Sequence, residues 1–139
     1  MIEMRACLDV DDVDRAVVFY TEALDLKVGR RFDEAWVELI GGSCAIDLLG
    51  KRPGTEPFQG SGSERDYHRH WTPVHLDFVV QDIEAAVQRA QAVGAQLEQS
   101  IRDEPYGRLA LMSDPFGHGF CLLEFKGLGY DEINKRQEK

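Results

Sequence analysis

The chain has 139 residues, with 25 acidic against 16 basic side chains, a formal charge of −9 and 43% hydrophobic residues. That is enough for one globular domain with a core of its own. Apolar runs are short, as in Ala16-Val17-Val18-Phe19-Tyr20, which excludes a transmembrane helix, and the acidic balance makes nucleic acid and anionic membrane surfaces poor partners.

The first residues, Met1 to Arg5, lack the basic start and apolar stretch of a signal peptide. Cys7, Cys44 and Cys121 are odd in number, widely spaced and set in apolar stretches. The expectation is small buried thiols in a reducing, cytoplasmic setting rather than a disulfide framework.

Leu8 to Asp12 alternates as a short strand and runs into a helical stripe with apolar residues at 13, 16, 17, 20, 23 and 24. Asp12 is placed to cap the free N–H groups of that helix. Short β-like runs follow at 27–32, 36–40 and 43–49, separated by turn residues such as Gly41-Gly42. Residues 51–71 are rich in Gly, Ser, Pro and charge without periodicity, and read as a lid or linker. The pattern then repeats with an offset of 70 residues: Phe78 to Asp82 as a strand, apolar positions 83, 86, 87, 90 and 93 as a helix closed by Gly94, and β-like runs at 96–101, 109–113 and 119–125. Turn residues Glu104 to Gly107 and Asp114 to Gly117 separate these last strands. The charged tail, 127–139, reads as a surface helix or frayed end. The expected organisation is one α+β domain over 1–139. It comprises two tandem βαβββ modules (about 4–50 and 72–126) whose curved mixed sheets enclose a shared cleft, joined by the linker 51–71.

The stretches Leu8-Asp9-Val10-Asp11-Asp12-Val13-Asp14-Arg15-Ala16-Val17-Val18-Phe19-Tyr20, His75 to Asp82 and Asp114-Pro115-Phe116-Gly117-His118 together resemble the vicinal oxygen chelate superfamily. That superfamily contains glyoxalase I, bleomycin-resistance proteins, fosfomycin-resistance enzymes and extradiol dioxygenases. The resemblance covers about residues 4–126. It implies a cleft between the modules and, in metal-dependent members, four ligand positions. In each module one lies seven residues before the helix-opening aspartate and one lies on the last strand. Here those positions carry Arg5, Asp47, His75 and Cys121. Arginine stays protonated and cannot ligate a metal, and cysteine replaces the usual glutamate. Glu124, three residues further on, falls on the opposite strand face.

The expectation is therefore a cytoplasmic small-molecule-binding protein of the glyoxalase/bleomycin-resistance type with no metal cofactor. Arg5 pairs with Asp47, and the cleft is lined by Arg5, Asp47, His75 and Cys121. The alternative is a metal-dependent lyase, isomerase or dioxygenase in which Asp47 and His75 hold a divalent ion with Glu124, Cys121 or a linker histidine. A third reading is a metal-free enzyme with His75 or Asp47 as general base. His68 and His70 default to surface histidines, and Tyr67, Trp71 and Trp36 to ligand-stacking groups or anchors. Exposed strand edges, with Val79, Leu123 and Phe125 as candidate apolar surface, point to a homodimer, and the linker has the reach to let modules exchange.

Overall fold

Two aspartates start the two helices in the same way. In a computed structural model that describes residues 1–134, the Asp12 carboxylate accepts from Arg15 N–H and the Asp82 carboxylate from Ala85 N–H, both three residues into the turn they cap. Helix α1 then runs Val13–Leu24 and α2 runs Ile83–Ala92. Their buried faces are Val13, Ala16, Phe19, Tyr20 and Ala23 in one, and Ile83, Ala86, Val87 and Ala90 in the other, the apolar stripes legible in the sequence.

Strands β1 (Arg5–Val10), β2 (Lys27–Asp33), β3 (Trp36–Ile40) and β4 (Ala45–Gly50) form one sheet in the order β1-β4-β3-β2. Strands β5 (Leu76–Val79), β6 (Gln96–Glu104), β7 (Gly107–Ser113) and β8 (Gly119–Phe125) form a second in the order β5-β8-β7-β6. In each sheet the first strand pairs in parallel with the last and the other pairs are antiparallel, so the two modules share one topology. This is the α+β fold of two βαβββ units. Helices α1 and α2 pack on each other, and α1 drives Phe19 edge-on against Phe116 and Phe120 of the second module, with ring centroids 6.3 and 6.5 Å away.

Four details differ from the sequence expectation. β1 starts at Arg5, three residues earlier than the alternation suggested, because pairing with Ala45 extends it. The β6–β7 hairpin is longer and its turn tighter, since register shifts between Leu97 and Arg102 absorb the irregular pattern. Gly107 closes that turn where a Cβ would stand 2.1 Å from the Glu124 carbonyl oxygen, so only glycine fits. Leu123 is fully buried, because β8 lies inside its sheet between β5 and β7, whereas Val79 and Phe125 are exposed.

The segment between β4 and β5 has no regular element but is stitched down. Arg65 donates to Asp9 (2.7 Å) and to the Glu56 carbonyl (2.9 Å), Tyr67 donates to the Lys51 carbonyl (2.7 Å), and Arg69 holds Glu98 with both oxygens engaged. After β8, Gly129–Glu132 makes one 3-10 turn, where Tyr130 packs edge-on against Phe125 and at a tilt against Tyr106. The last part of the expected tail, 135–139, lies outside the described residues. No helix among the described residues is long and apolar enough to cross a membrane.

Candidate functional site

On β1 the alternation puts Arg5 and Cys7 on one sheet face and Ala6, Leu8 and Val10 toward α1. Parallel pairing sets Cys7 beside Asp47, and antiparallel pairing sets Asp47 beside Glu38. The three strands thus bring two carboxylates under one guanidinium. Arg5 Nε donates to Asp47 Oδ2 at 2.9 Å, and Arg5 Nη2 donates to Asp47 Oδ1 at 2.8 Å and to Glu38 Oε2 at 2.6 Å. Arg30 clasps Glu38 from the far side through Nε (3.0 Å) and Nη2 (2.8 Å), and Trp36 Nε1 reaches Asp47 Oδ1 at 3.3 Å. Asp47 is 2% exposed and Glu38 5%, so both charges are buried and both are paired. Gly29 makes the clasp possible, since a Cβ there would lie 2.7 Å from Glu38 Oε1.

Hydrogen bonds from Arg30 and Arg5 hold Glu38 down from its ordinary 4.5 to about 2. The same kind of bond from Arg5 holds Asp47 below the usual carboxylate range, against burial that pushes it up. Folded values below the unfolded ones mean that this stabilisation is fully present above about pH 4.5 and is lost as pH falls toward 2. Glu38→Gln should flatten the acid-unfolding curve over that interval relative to wild type, as followed by circular dichroism. An unchanged slope would show that the network does not govern acid stability.

The second module repeats the ladder with its residue types exchanged. Asp77 stands beside Cys121 across β5 and β8, where the first module has Cys7 beside Asp47, and His75 takes the place of Arg5. His75 Nε2 lies 3.2 Å from Asp77 Oδ1, and donor atoms of His75, Asp77 and Cys121 all lie within 4.8 Å of one another. His75 and Asp77 are exposed while Cys121 is buried. Burial, reinforced by Asp77, pushes the Cys121 thiol up to about 11, so it is protonated at neutral pH. Leu111, not a carboxylate, occupies the place equivalent to Glu38.

Between the modules lies a cavity of about 410 Å³, walled by apolar groups such as Ala6, Leu8, Leu76, Phe78 and Phe120. Arg5, Cys7, His75, Tyr20 and His118 border it. The four sequence-derived positions divide between hollows rather than lining one. Arg5 and His75 border the between-module cavity, Asp47 lies beneath the Arg5 guanidinium, and Cys121 lines a separate hollow of about 200 Å³ with His75, Arg69 and Trp71. Arg5 also borders an open shelf with Arg30, Phe32 and Trp36, whose two rings stack with centroids 4.1 Å apart. Tyr67 is an anchor through Lys51, Trp71 is exposed, and among the described residues the His68 and His70 rings bond within their own loop, to Asp66 and to the His68 carbonyl. Glu124 caps α2 by accepting from Ile83 N–H at 3.2 Å, on the face opposite Cys121.

Sequence reasoning missed Arg30 and the clasp on Glu38, the partner role of Asp77, and the cluster of Tyr20, Asp114 and His118. Only Asp77 carried a local signal, since it stands two residues from His75 and so shares its strand face.

The profile of the Glyoxalase-like domain family matches residues 5–123. The chain belongs to that family. Among related proteins, DnrV of Streptomyces peucetius, an anthracycline biosynthesis protein, is 36% identical over 121 residues, 86% of this chain and 40% of DnrV. An uncharacterised protein of Mycobacterium bovis is 30% identical over 130 residues, 91% of this chain and 86% of its own length. The solved structure of FosX, a fosfomycin resistance protein of Listeria monocytogenes, superposes with a TM-score of 0.71 at 18% identity, covering 99% of this chain and all of FosX, which shows a shared fold.

In metal-dependent members of the superfamily the resemblance implies a divalent metal held jointly by both modules, and Arg5 at the first of those positions does not fit one. A permanent cation at Arg5 occupies the first position and, together with Arg30, already pairs with the carboxylates of Asp47 and Glu38, the anionic donors that a metal would need from this module.

Proposed function

We propose that this glyoxalase-like protein binds a flat, largely apolar small molecule in the cavity between its modules, without the metal shared by metal-dependent relatives. One observation carries the reading. The side chain at the first ligand position is an arginine bonded to Asp47 and Glu38 through Nε and Nη2, and it stands beside an apolar cavity of about 410 Å³. That volume falls within the range of small-molecule sites, about 300–1,000 Å³. The stacked Phe32–Trp36 shelf adjoins Arg5 and adds aromatic surface. The net charge of −9 attracts a cationic aromatic, and the kinship with DnrV makes an anthracycline a reasonable probe. Daunorubicin should lose fluorescence on titration with the protein, and Ala6→Trp, which fills the cavity, should weaken binding at least tenfold. Equal binding by wild type and Ala6→Trp would place the ligand elsewhere.

The second reading is a metal-dependent lyase, isomerase or dioxygenase acting on adjacent oxygens. It is favoured by the His75, Asp77 and Cys121 donors within 4.8 Å of one another. Metal analysis after purification without chelator or affinity tag separates the two. The first reading expects well under one equivalent of Zn, Ni, Mn or Fe per chain, and a stoichiometric value would promote the second.

We further place the protein in the cytoplasm, where free thiols such as Cys7 and Cys44 persist, and propose that it acts as a homodimer. Met4, Trp71, Val74 and Val79 expose apolar surface, the first three at the borders of the hollows and Val79 on an edge strand. Light scattering should return twice the 15.7 kDa chain mass at micromolar concentration, and a monomer mass would remove the dimer.

A further inference from the structure

His118 stands in the wall of the between-module cavity, on the turn that leads into β8. Its Nδ1 lies 2.8 Å from Asp114 Oδ2, and the Asp114 side chain is wholly buried. Asp114 is fixed from every side. Oδ1 accepts the backbone N–H of Phe116 at 2.8 Å and of His118 at 2.9 Å, and Oδ2 also accepts the hydroxyl of Tyr20, a buried residue of α1. An ionised carboxylate only accepts, so Nδ1 is the donor in this contact, and in the neutral imidazole the lone pair then stands on Nε2. Among the described residues Nε2 has no hydrogen-bond partner, and the ring is 30% exposed. His75 is a weaker counterpart, since its partner Asp77 is itself exposed and the ring is held by one contact at 3.2 Å.

A buried carboxylate that orients an imidazole, with Nε2 free at the border of an apolar cavity, is the arrangement of a general base. We propose that His118 removes a weakly acidic proton from the molecule held in the cavity, with Asp114 and Tyr20 as positioning residues; this rests on the cavity being a ligand site. The substrate class is a flat apolar molecule whose C–H is activated by a neighbouring carbonyl or ring heteroatom. In the step, the Nε2 lone pair forms an N–H bond. The C–H bond breaks, and its electron pair stays on the substrate as an enolate or passes to a leaving heteroatom. Asp114 balances the imidazolium. Return of the proton to another atom of the same molecule completes an isomerisation with no co-reactant.

The probe is 5-nitrobenzisoxazole, a flat bicycle whose deprotonation at carbon breaks its N–O bond and releases a coloured phenolate. Wild type should bind it, in competition with daunorubicin, and convert it. His118→Gln should bind it equally and convert it at least about 100-fold more slowly, while His68→Gln on the surface changes nothing. Imidazole added to His118→Gly should restore turnover, which a purely structural histidine would not allow. Nitrogen-15 spectra should show His118 as the Nδ1–H tautomer in wild type and a tautomer mixture in Tyr20→Phe, where the acceptor is less firmly held. Binding without turnover, turnover unaffected by His118→Gln, or no rescue by imidazole would overturn the base while leaving the cavity reading intact. Failure to bind either probe would overturn the cavity reading itself.

Discussion

Arg5→Met should reverse the sign of the protein's pH dependence. In the wild type, Arg5 sits over two buried carboxylates that are cross-strand neighbours, Glu38 and Asp47. With methionine there, Arg30 still holds Glu38, but Asp47 keeps only Trp36 Nε1 and the Cys7 thiol as partners. Burial and the like charge of Glu38, both of which already push Asp47 upward, then go unopposed by Arg5. The folded carboxyl titrates above its unfolded value, so the variant is least stable at neutral pH and gains stability as pH falls through that raised value. Its thermal midpoint should rise from pH 7 to pH 5, where the wild type stays flat because Glu38 and Asp47 are held low. A midpoint for Arg5→Met equal to wild type at pH 7 would mean that the guanidinium does not compensate the buried charge.

Asp114→Ala is the most damaging single change expected outside the hydrophobic core. It strips the acceptor from the Tyr20 hydroxyl, from the backbone N–H groups of Phe116 and His118 and from His118 Nδ1, four donors at buried or part-buried sites. At about 1–3 kcal/mol for each unmet buried donor, the loss is about 4 kcal/mol after relaxation, or roughly 12 °C in Tm for a domain of this size. The Tyr20 bond also crosses from α1 to the second module, so the loss weakens the seam that α1 and α2 build. Asp114→Asn retains one acceptor oxygen and should fall between Asp114→Ala and wild type in thermal denaturation. A shift under about 3 °C for Asp114→Ala would show that water satisfies these groups.

Both helices were legible because each signals its start with an aspartate and its buried face with a period that no partner is needed to reveal. Arg5 opposite Asp47 was legible only through the family resemblance, whose implied ligand positions fall on those two residues. The Glu38 clasp was not. Glu38 lies between the apolar Val37 and Leu39, and only the order of strands within the sheet, which sequence alternation does not encode, puts it beside Asp47. The same holds for His118. Asp114 to Gly117 reads locally as a turn, and the residue that completes the cluster, Tyr20, lies 94 positions away on the other module's helix, where its place in the apolar stripe hides its hydroxyl. The linker's composition spoke for flexibility, yet Arg65, Tyr67 and Arg69 each reach a specific partner and tie it down. Gly117 contributes there, since its φ of +92° lets the Asp114 turn pass close under the Tyr67 carbonyl, where a Cβ would lie 2.7 Å away.

The central claim is that the cavity between the modules binds its ligand without a metal. The direct measurement is a daunorubicin titration of one preparation in two forms: stripped with chelator and dialysed, or loaded with one equivalent of Zn²⁺, Ni²⁺, Mn²⁺ or Fe²⁺. Equal dissociation constants for all forms, weakened together by Ala6→Trp, are the result expected of a cavity whose first ligand position is closed by the Arg5–Asp47–Glu38 network. Binding that appears only in a metal-loaded form would contradict it.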